Sequence, residues 1–393
     1  MHVRRMTTLR EGFTTGSAAA AAAHAAVRLL CGRPPAGKVD VPRPPVPVVA
    51  GRPSAAGLAR LEIPVTPFPA PLPGFAAACV IKDGGDDPDA THGIRIIAAA
   101  GRLPPPGGAS LVLPASEREI FLYAGEGIGR VTLPGLPVAV GEPAINPEPR
   151  KQIALAVEEA AQGCGYAGPL HIVLSVPEGR KRAKNTLNAR LGIVGGISIL
   201  GTQGTVRPFS HAAWQAAIEQ GLSVARAVGL STVMFSTGRR SERLLFEQYP
   251  GLPPAAGIQA ADFAAFSVRL AGSMGFERLV WGCFPGKLLK LAQGLEYTHA
   301  KTAPADLERI FAFLRSVDPD LEREVRVMPT AAGVFGRLDE HRPDLMRDIA
   351  FSLGREALRH LRAWAGPGPA LRLVMFTVSE KPLPALDDPP GGW

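Results

Sequence analysis

The pattern of apolar and polar positions predicts two helices in the first part of the chain. Thr14-Thr15-Gly16-Ser17 offers hydroxyl groups that can cap a helix, and an uninterrupted alanine run follows. Because alanine has the highest helix propensity and hydroxyl side chains favour cap positions, we predict a helix over 17–30. A second helix is predicted over 147–162, where Asn146 suits the cap, proline the first position and Glu148 the positive end.

Between these helices the pattern is that of short strands. Residues 34–73 carry twelve prolines, which exclude helix and allow only edge strands or extended connections such as 60–65. Apolar runs then alternate with Gly, Pro and Asp turns, which predicts a strand-rich α+β domain over 1–165. The runs lie at 77–81, 94–98, 119–123, 130–132 and 137–140.

After Leu170 the pattern changes, and each predicted strand is followed by a predicted helix. This alternation predicts an α/β domain over 166–393 with a mainly parallel sheet and crossover helices, and it includes the glycine-rich run at 191–205. Ligand sites in such sheets lie where strands end and helices begin. The predicted strands are 171–176, 232–235, 278–282 and 371–378, and the predicted helices are 209–228, 260–274, 303–316 and 343–363.

Composition indicates an ordinary globular protein. The chain has 393 residues, 46% of them apolar, and no run approaches the roughly 18 uncharged apolar residues that a membrane helix needs. Arg4 and Arg5, followed by alanines and then Cys31, superficially resemble an export signal. Glu11 and His24 interrupt that apolar stretch, so we interpret it as the first helix and expect a cytoplasmic protein without a membrane partner.

The charge favours an acidic partner. The formal net charge is +8 and the pI about 9.6, which suits nucleic acid, a phosphorylated metabolite or a polycarboxylate. The basic cluster at 180–184 has no interleaved aromatic residues, unlike nucleic-acid-binding surfaces, and is interpreted as a solvated face or a carboxylate clamp. The four cysteines, Cys31, Cys79, Cys164 and Cys283, lack the paired spacing of a zinc site or a redox motif.

Two glycine-rich segments resemble known nucleotide-binding motifs but do not match them. The segment 125–129 begins like a dinucleotide fingerprint, but Arg130 stands in place of the third glycine and a strand is predicted to follow. The segment 282–288 is one residue too short for a P-loop, and a leucine replaces the hydroxyl that would hold magnesium. It should still form an anion site at the sheet edge with Lys287, or else a plain strand-to-helix turn.

Two further segments have unusual composition. Residues 82–93 place four carboxylates and a histidine in one loop, which could bind a hard cation although it lacks the EF-hand spacing; a solvated turn is the alternative. Residues 183–205 form a glycine turn between small hydroxyl and amide side chains. Such a run can bring backbone groups to an adenosyl or carboxylate group, or it can be a tightly packed strand and bend.

Together these segments resemble the cobalt-precorrin-5B C1-methyltransferase family, CbiD, from Leu9 to about Glu308. The similarity lies in GFTTGS at 12–17, KDGGDDPDATHG at 82–93, GEGIGRVTLPGL at 125–136, VGEPAINPEPR at 140–150 and NTLNARLGIVGGISILGTQGTVRP at 185–208. The chain departs from the family pattern at Ala18, in 282–287 and at Ala300 after His299.

The resemblance implies S-adenosylmethionine as methyl donor and a polyanionic cobalt-corrinoid precursor as acceptor, with cobalt only as part of the substrate. We expect no resident metal and no nucleic-acid partner, and a homo-oligomer is left open. Candidates for proton removal or orientation are Asp83, Asp87, His92, Glu126 and His299. Candidates for donor contact are Gly195, Gly196, Ser198, Gly201 and Thr202. Candidates for binding the acceptor are Thr14, Thr15, Lys82, Arg130, Lys184, Asn188 and Lys287.

Two other functions fit part of this pattern. A non-catalytic tetrapyrrole carrier would share the basic surface but needs no adenosyl pocket, so S-adenosylhomocysteine should not stabilise it. A nucleic-acid-binding protein would show affinity that falls steeply with salt.

Overall fold

The computed structural model describes residues 9–44, 59–107, 110–113, 118–300 and 304–391. The chain forms two compact units, Met1–Ser210 and His211–Trp393. The division therefore falls after Ser210 and not near residue 165 as predicted, and the glycine-rich run belongs to the first unit. The reason is a strand pairing: the segment just past 165 completes the sheet of the first unit.

The first unit combines a six-stranded mixed sheet with three two-stranded ones. The large sheet has the order β4-β5-β6-β10-β8-β7, and the small sheets pair β1 with β12, β2 with β3, and β9 with β11. The strands are β1 Gly12–Phe13, β2 Lys38–Pro42, β3 Arg60–Pro64, β4 Thr66–Phe68, β5 Phe75–Ile81, β6 Arg95–Gly101, β7 Leu111–Val112, β8 Ile120–Ala124, β9 Arg130–Val131, β10 Leu170–Ser175, β11 Ile193–Val194 and β12 Thr205–Val206. The helices are α1 Thr15–Leu30, α2 Pro147–Cys164 and α3 Gly179–Ala183.

Helix α1 lies at the centre of the first unit. Its alanines are fully buried, and their short side chains let the helix pack closely on β5, β6 and α2. The buried amide of Gln152 in α2 donates hydrogen bonds to Ser17 Oγ at 3.0 Å and to the carbonyl of Pro42 at 2.9 Å. The amino ends of the two helices are thereby held side by side.

Most elements predicted for this unit are confirmed, with three differences. Asn146 occupies the N-cap of α2, but its side chain makes no capping hydrogen bond. Residues 137–140 are irregular, with bends at 137 and 138, and do not form a strand. The strand predicted at 171–176 is β10, which pairs antiparallel with β6 and parallel with β8; it therefore does not belong to the predicted C-terminal sheet.

The second unit is an α/β fold around one five-stranded sheet. The order is β14-β13-β15-β16-β17, in which the first four strands are parallel and β17 is antiparallel. The strands are β13 Thr232–Ser236, β14 Gly257–Gln259, β15 Arg278–Cys283, β16 Ala370–Met375 and β17 Leu386–Asp388. The helices are α4 His211–Ala227, α5 Arg239–Gln248, α6 Ala264–Ser273, α7 Pro285–Ala292, α8 Glu308–Val317, α9 Pro319–Val325, α10 Ala331–His341 and α11 Pro343–Ala365, with one 3₁₀ turn at Pro254–Ala256.

The predicted mainly parallel sheet is confirmed here, as are three of the predicted strands and the four predicted helices. The start predicted for the helix at 303–316 falls partly outside the described residues, and α8 begins at Glu308. Helices α5, α9 and α10 were not predicted. Among the described residues, no helix combines the length and the apolar character needed to cross a bilayer.

Candidate functional site

The topology of the first unit brings the sequence motifs to one edge of its large sheet. Strand β5 ends at Ile81, opposite Arg95 at the start of β6, and Ser175 at the end of β10 lies opposite Ile97. Because β8 runs parallel to β10, Ala124 lies at the same edge. The loops 82–93, 125–129 and 176–192 therefore all leave the sheet there.

The amino end of α1 joins this edge through hydrogen bonds. Thr14 Oγ1 caps the helix by accepting from the amide of Ser17 at 3.1 Å, as the capping hydroxyls predicted. The amide of Phe13 donates to the carbonyl of Asp83 at 3.0 Å, and the amide of Thr14 donates to Gly204 O at 3.0 Å. The helix start is thus fixed between the acidic loop and the glycine-rich run.

Thr15 extends that attachment. Its hydroxyl accepts from the amide of Leu200 at 2.9 Å and donates to the carbonyl of the same residue at 3.1 Å. The amide of Gly16 also donates to Leu200 O, at 3.1 Å. Both Thr14 and Thr15 are buried, so these two predicted acceptor-binding residues hold the framework of the edge.

Glycines of the run serve backbone packing. A Cβ at Gly196 would overlap the carbonyl of Gly127, and one at Gly201 would overlap the side chain of Thr14. The amide of Ile197 donates to Gly127 O at 2.9 Å, which explains the close approach. Gly195 differs: its φ is +83°, and a Cβ there would meet nothing within 4 Å. Of these three glycines, Gly195 faces open space.

The buried polar side chains of the run bond to each other. Asn188 Nδ2 donates to Gly196 O at 3.1 Å, and Ser198 Oγ donates to Asn188 Oδ1 at 3.3 Å. Thr202, predicted with Ser198 to contact the donor, is exposed. Asn188 and Ser198 therefore shape the turn, while Thr202 is accessible to a ligand.

A buried ion pair organises the acidic loop. Lys82 is 1% exposed, and its Nζ lies 2.5 Å from Asp89 Oδ2. Asp89 Oδ1 accepts from the amide and the hydroxyl of Thr91, both at 2.7 Å. Burial alone would raise the pKa of Asp89, but the Lys82 charge and these hydrogen bonds hold it below its ordinary value. The ammonium of Lys82 is thus occupied within the loop.

Asp83 and Asp87 are also bonded within the unit. Arg10 donates to both carboxylate oxygens of Asp83, and these hydrogen bonds, the largest cause, lower its pKa to about 2. Asp87 Oδ1 accepts from the amide of Phe209 at 3.0 Å. Throughout the described ranges, no three His, Cys, Asp or Glu side chains converge as a metal site requires, and these contacts explain how the acidic loop is held instead.

Other predicted residues present exposed groups at this edge. His92 Nδ1 accepts from the amide of Gly84 at 3.0 Å, and its side chain is 56% exposed. Glu126 and Lys184 are exposed. Arg130 is exposed too, and it donates to the carbonyl of Gly141.

Two predicted site residues belong to the second unit. Lys287 Nζ is paired with Asp262 and donates to the carbonyl and the hydroxyl of Thr298, both at 3.1 Å. The ring of His299 stacks on Tyr297 with centroids 6.0 Å apart. The segment 282–288 lies at the carboxyl end of β15 as predicted, with Cys283 fully buried and its thiol pKa raised to about 12 by that burial.

Sequence reasoning missed Arg10 and Gln152, which hold Asp83 and Ser17 in place. Both partners are distant along the chain, so no local spacing could have indicated these contacts. Arg10 does precede the GFTTGS motif, but a lone arginine there has no distinctive pattern.

Comparisons with known proteins agree with the resemblance. The sequence model of the CbiD family matches residues 2–208. A cobalt-precorrin-5B C(1)-methyltransferase of Nitratidesulfovibrio vulgaris is 50% identical over 369 residues, covering 94% of this chain and 90% of the relative. One from Geobacillus kaustophilus is 42% identical, covering 85% of this chain and 83% of the relative. A crystal structure of the cobalamin biosynthesis protein cbiD of Archaeoglobus fulgidus is 27% identical and covers 71% of this chain and 78% of its own, with a TM-score of 0.37.

Proposed function

Because this chain belongs to the CbiD family, we propose that it methylates C1 of cobalt-precorrin-5B, giving cobalt-precorrin-6A in anaerobic cobalamin biosynthesis. The methyl donor is S-adenosylmethionine, and cobalt enters only as part of the substrate. The observation that carries the proposal is the convergence of the family's motif segments at one edge of the first unit, around the amino end of α1.

The exposed cations of this edge suit the acceptor. A corrin precursor carries acetate and propionate groups, which a basic surface attracts and which guanidinium groups can hold in bidentate fashion. Lys184 and Arg130 are exposed, and neither forms an ion pair with a described residue. Lys82 is buried and paired, so we assign it to holding the loop and assign the acceptor carboxylates to the exposed cations.

The reaction needs little from the protein beyond placement. A ring carbon of the conjugated macrocycle attacks the methyl group, a carbon–carbon bond forms, and the electron pair of the broken bond stays on sulfur. No protein nucleophile takes part. Holding the reacting atoms in line can lower the barrier by about 7 to 11 kcal/mol in favourable cases. The rigid hydrogen-bonded framework around Thr15 and Asn188 suits that task.

Among the candidate acid–base groups, His92 and Glu126 fit proton handling best. Each is exposed at the edge, whereas Asp83 is held by Arg10 with a pKa of about 2 and would be a weak base. The change His92→Asn keeps an oxygen near the position of Nδ1, where it can accept from the Gly84 amide. It should lower turnover more than affinity for the macrocycle if His92 moves a proton, and leave both unchanged if it does not.

The function is tested by incubating the purified full chain with cobalt-precorrin-5B and S-adenosylmethionine labelled in its methyl group. We expect the label at C1 of the product, while cobalt-precorrin-6A offered as acceptor should take up none. Binding of the macrocycle without label transfer would instead support a tetrapyrrole carrier. The cytoplasmic location, the absence of nucleic-acid binding and any homo-oligomer remain predictions.

A further inference from the structure

The sheet of the second unit has a topological switch point. Strand β13 lies between β14 and β15, all three parallel. Leu245 of α5 packs with Met234 on one face of the sheet, whereas Val268 of α6 packs with Phe235 on the other. Successive connections therefore run over opposite faces, which opens a crevice outside the carboxyl ends of β13 and β15. Ligands of such sheets bind in that crevice.

A buried hydroxyl without a partner lies at the end of β13, beside this crevice. Ser236, the last residue of β13, is 1% exposed, and its Oγ has no hydrogen-bond partner within the part of the chain that the structure describes. Side chains alternate along a strand, so Ser236 shares the α5 face with Met234. Helix α5 begins three residues later, and its first amides have no partner inside the helix. Hydroxyl and amides together suit a carboxylate.

The loops that flank the crevice leave space for a ligand. A Cβ at Gly238 before α5 would meet nothing within 4 Å, and neither would one at Gly286 in the first turn of α7. Gly238 has φ 169°, extended backbone that any residue adopts. Ala261, past the end of β14, has φ 48°, where non-glycine residues are uncommon. Its amide donates to Ser236 O at 3.3 Å, which ties this strained turn to the crevice.

Asp262 places a carboxylate beside this turn. Its Oδ1 accepts from Lys287 and, at 3.2 Å, from the hydroxyl of Thr298. Its Oδ2 bonds to no described residue, and the side chain is 20% exposed. A carboxylate at the end of the second strand of a nucleotide-binding sheet accepts the ribose hydroxyls. Oδ2 is suited to that contact.

We propose that this crevice of the second unit binds the adenosyl methyl donor. The carboxylate of the donor lies at the amino end of α5 against Ser236, and its ribose lies at Asp262. This inference rests on the proposed function for the identity of the ligand. It does not place the donor at the glycine-rich run, where a Cβ at Gly196 or at Gly201 would overlap protein atoms.

The test measures affinity for S-adenosylhomocysteine by calorimetry on the full chain. Gly238→Val fills the crevice without backbone strain and should weaken binding at least tenfold. Its matched control is Gly251→Val. A Cβ at Gly251 also meets nothing within 4 Å, but this residue follows the carboxyl end of α5 and lies away from the crevice at its amino end. This variant should bind S-adenosylhomocysteine like the wild type. Ser236→Ala removes a hydroxyl that bonds to no described residue, so it should fold normally and bind about tenfold more weakly.

The outcomes separate this inference from the proposed function. If Gly238→Val binds S-adenosylhomocysteine like the wild type while the wild type methylates the precursor, only the donor site is wrong. If Gly238→Val retains S-adenosylhomocysteine but loses the macrocycle, the crevice holds an acceptor carboxylate and the inference also fails. A wild-type protein that neither binds S-adenosylhomocysteine nor transfers label would refute the function, and the donor site with it.

Discussion

Replacing Gly196 with alanine should destabilise the first unit by about 3 kcal/mol. The new Cβ would lie 2.6 Å from the carbonyl carbon of Ile128 and overlap the carbonyl of Gly127. These are backbone atoms, so no flexible side chain can move aside. Overpacking costs about 1 to 3 kcal/mol, and separating the run from Gly127 also weakens the hydrogen bond from Ile197, worth about 1 kcal/mol.

The assay can use the distribution of the tryptophans. Trp214, Trp281 and Trp364 lie in the second unit, and the sequence of the first unit contains no tryptophan. Their fluorescence therefore follows the second unit in urea, while far-ultraviolet circular dichroism follows both. We expect the alanine variant to unfold at lower urea in the dichroism signal, with an unchanged fluorescence transition.

The matched control is Gly163→Ala in α2, where a Cβ meets nothing within 4 Å. Alanine is the better helix former, so this variant should be neutral or more stable by up to about 1 kcal/mol. If Gly196→Ala proved as stable as this control, the run would not be packed against Gly127. A loss of ligand affinity in Gly196 variants could then be attributed to direct contact.

Three further predictions concern the charges of the candidate edge. Asp89→Asn leaves the buried Lys82 ammonium without its carboxylate and should cost about 3 kcal/mol in urea unfolding, and adding Lys82→Met should recover part of that loss. The pKa of Asp83 is about 2 against an ordinary 3.8, so the stability that its ion pair contributes is present above about pH 4 and is lost as the pH falls toward 2. Asp83→Asn should make the free energy of unfolding depend less on pH in this range. An unchanged dependence on pH would contradict the ion pair. Lys184→Glu should weaken macrocycle binding, most at low salt. Lys151 is paired with Glu148 in the native protein, so the control Lys151→Glu should have the smaller effect. Equal effects of the two variants would mean that only net charge matters.

Local chemistry made the helices of the first unit predictable. The capping hydroxyl of Thr14 and the alanine run both lie in or next to α1, so the local sequence is enough to specify this helix. Helix α5 escaped prediction because five of its ten residues are charged and only three are apolar, among them Leu244 and Leu245. It is a helix because those two leucines are buried against the sheet, which is a tertiary contact.

Long-range pairing explains what local patterns could not give. An apolar run such as 170–175 reads as a strand, but nothing within it says which sheet it joins, and here it completes the first one. The glycine-rich run was expected to contact the donor, since both close ligand approach and close backbone approach require glycine. Only the position of Gly127 shows that the backbone of Gly196 lies against protein.

Some charged side chains at the candidate edge are already paired with a partner and others are exposed to solvent. This difference determines how a polyanion can bind. For Lys82 to grip a substrate carboxylate it would have to release Asp89, exchanging one buried contact for another of the same kind with little net gain. An exposed cation such as Lys184 gives up only water and screening ions. Attraction of the acceptor should therefore come from exposed cations, and it should weaken at salt concentrations where the screening length falls below about 10 Å. The buried pair instead maintains the conformation of the loop to which the acceptor binds.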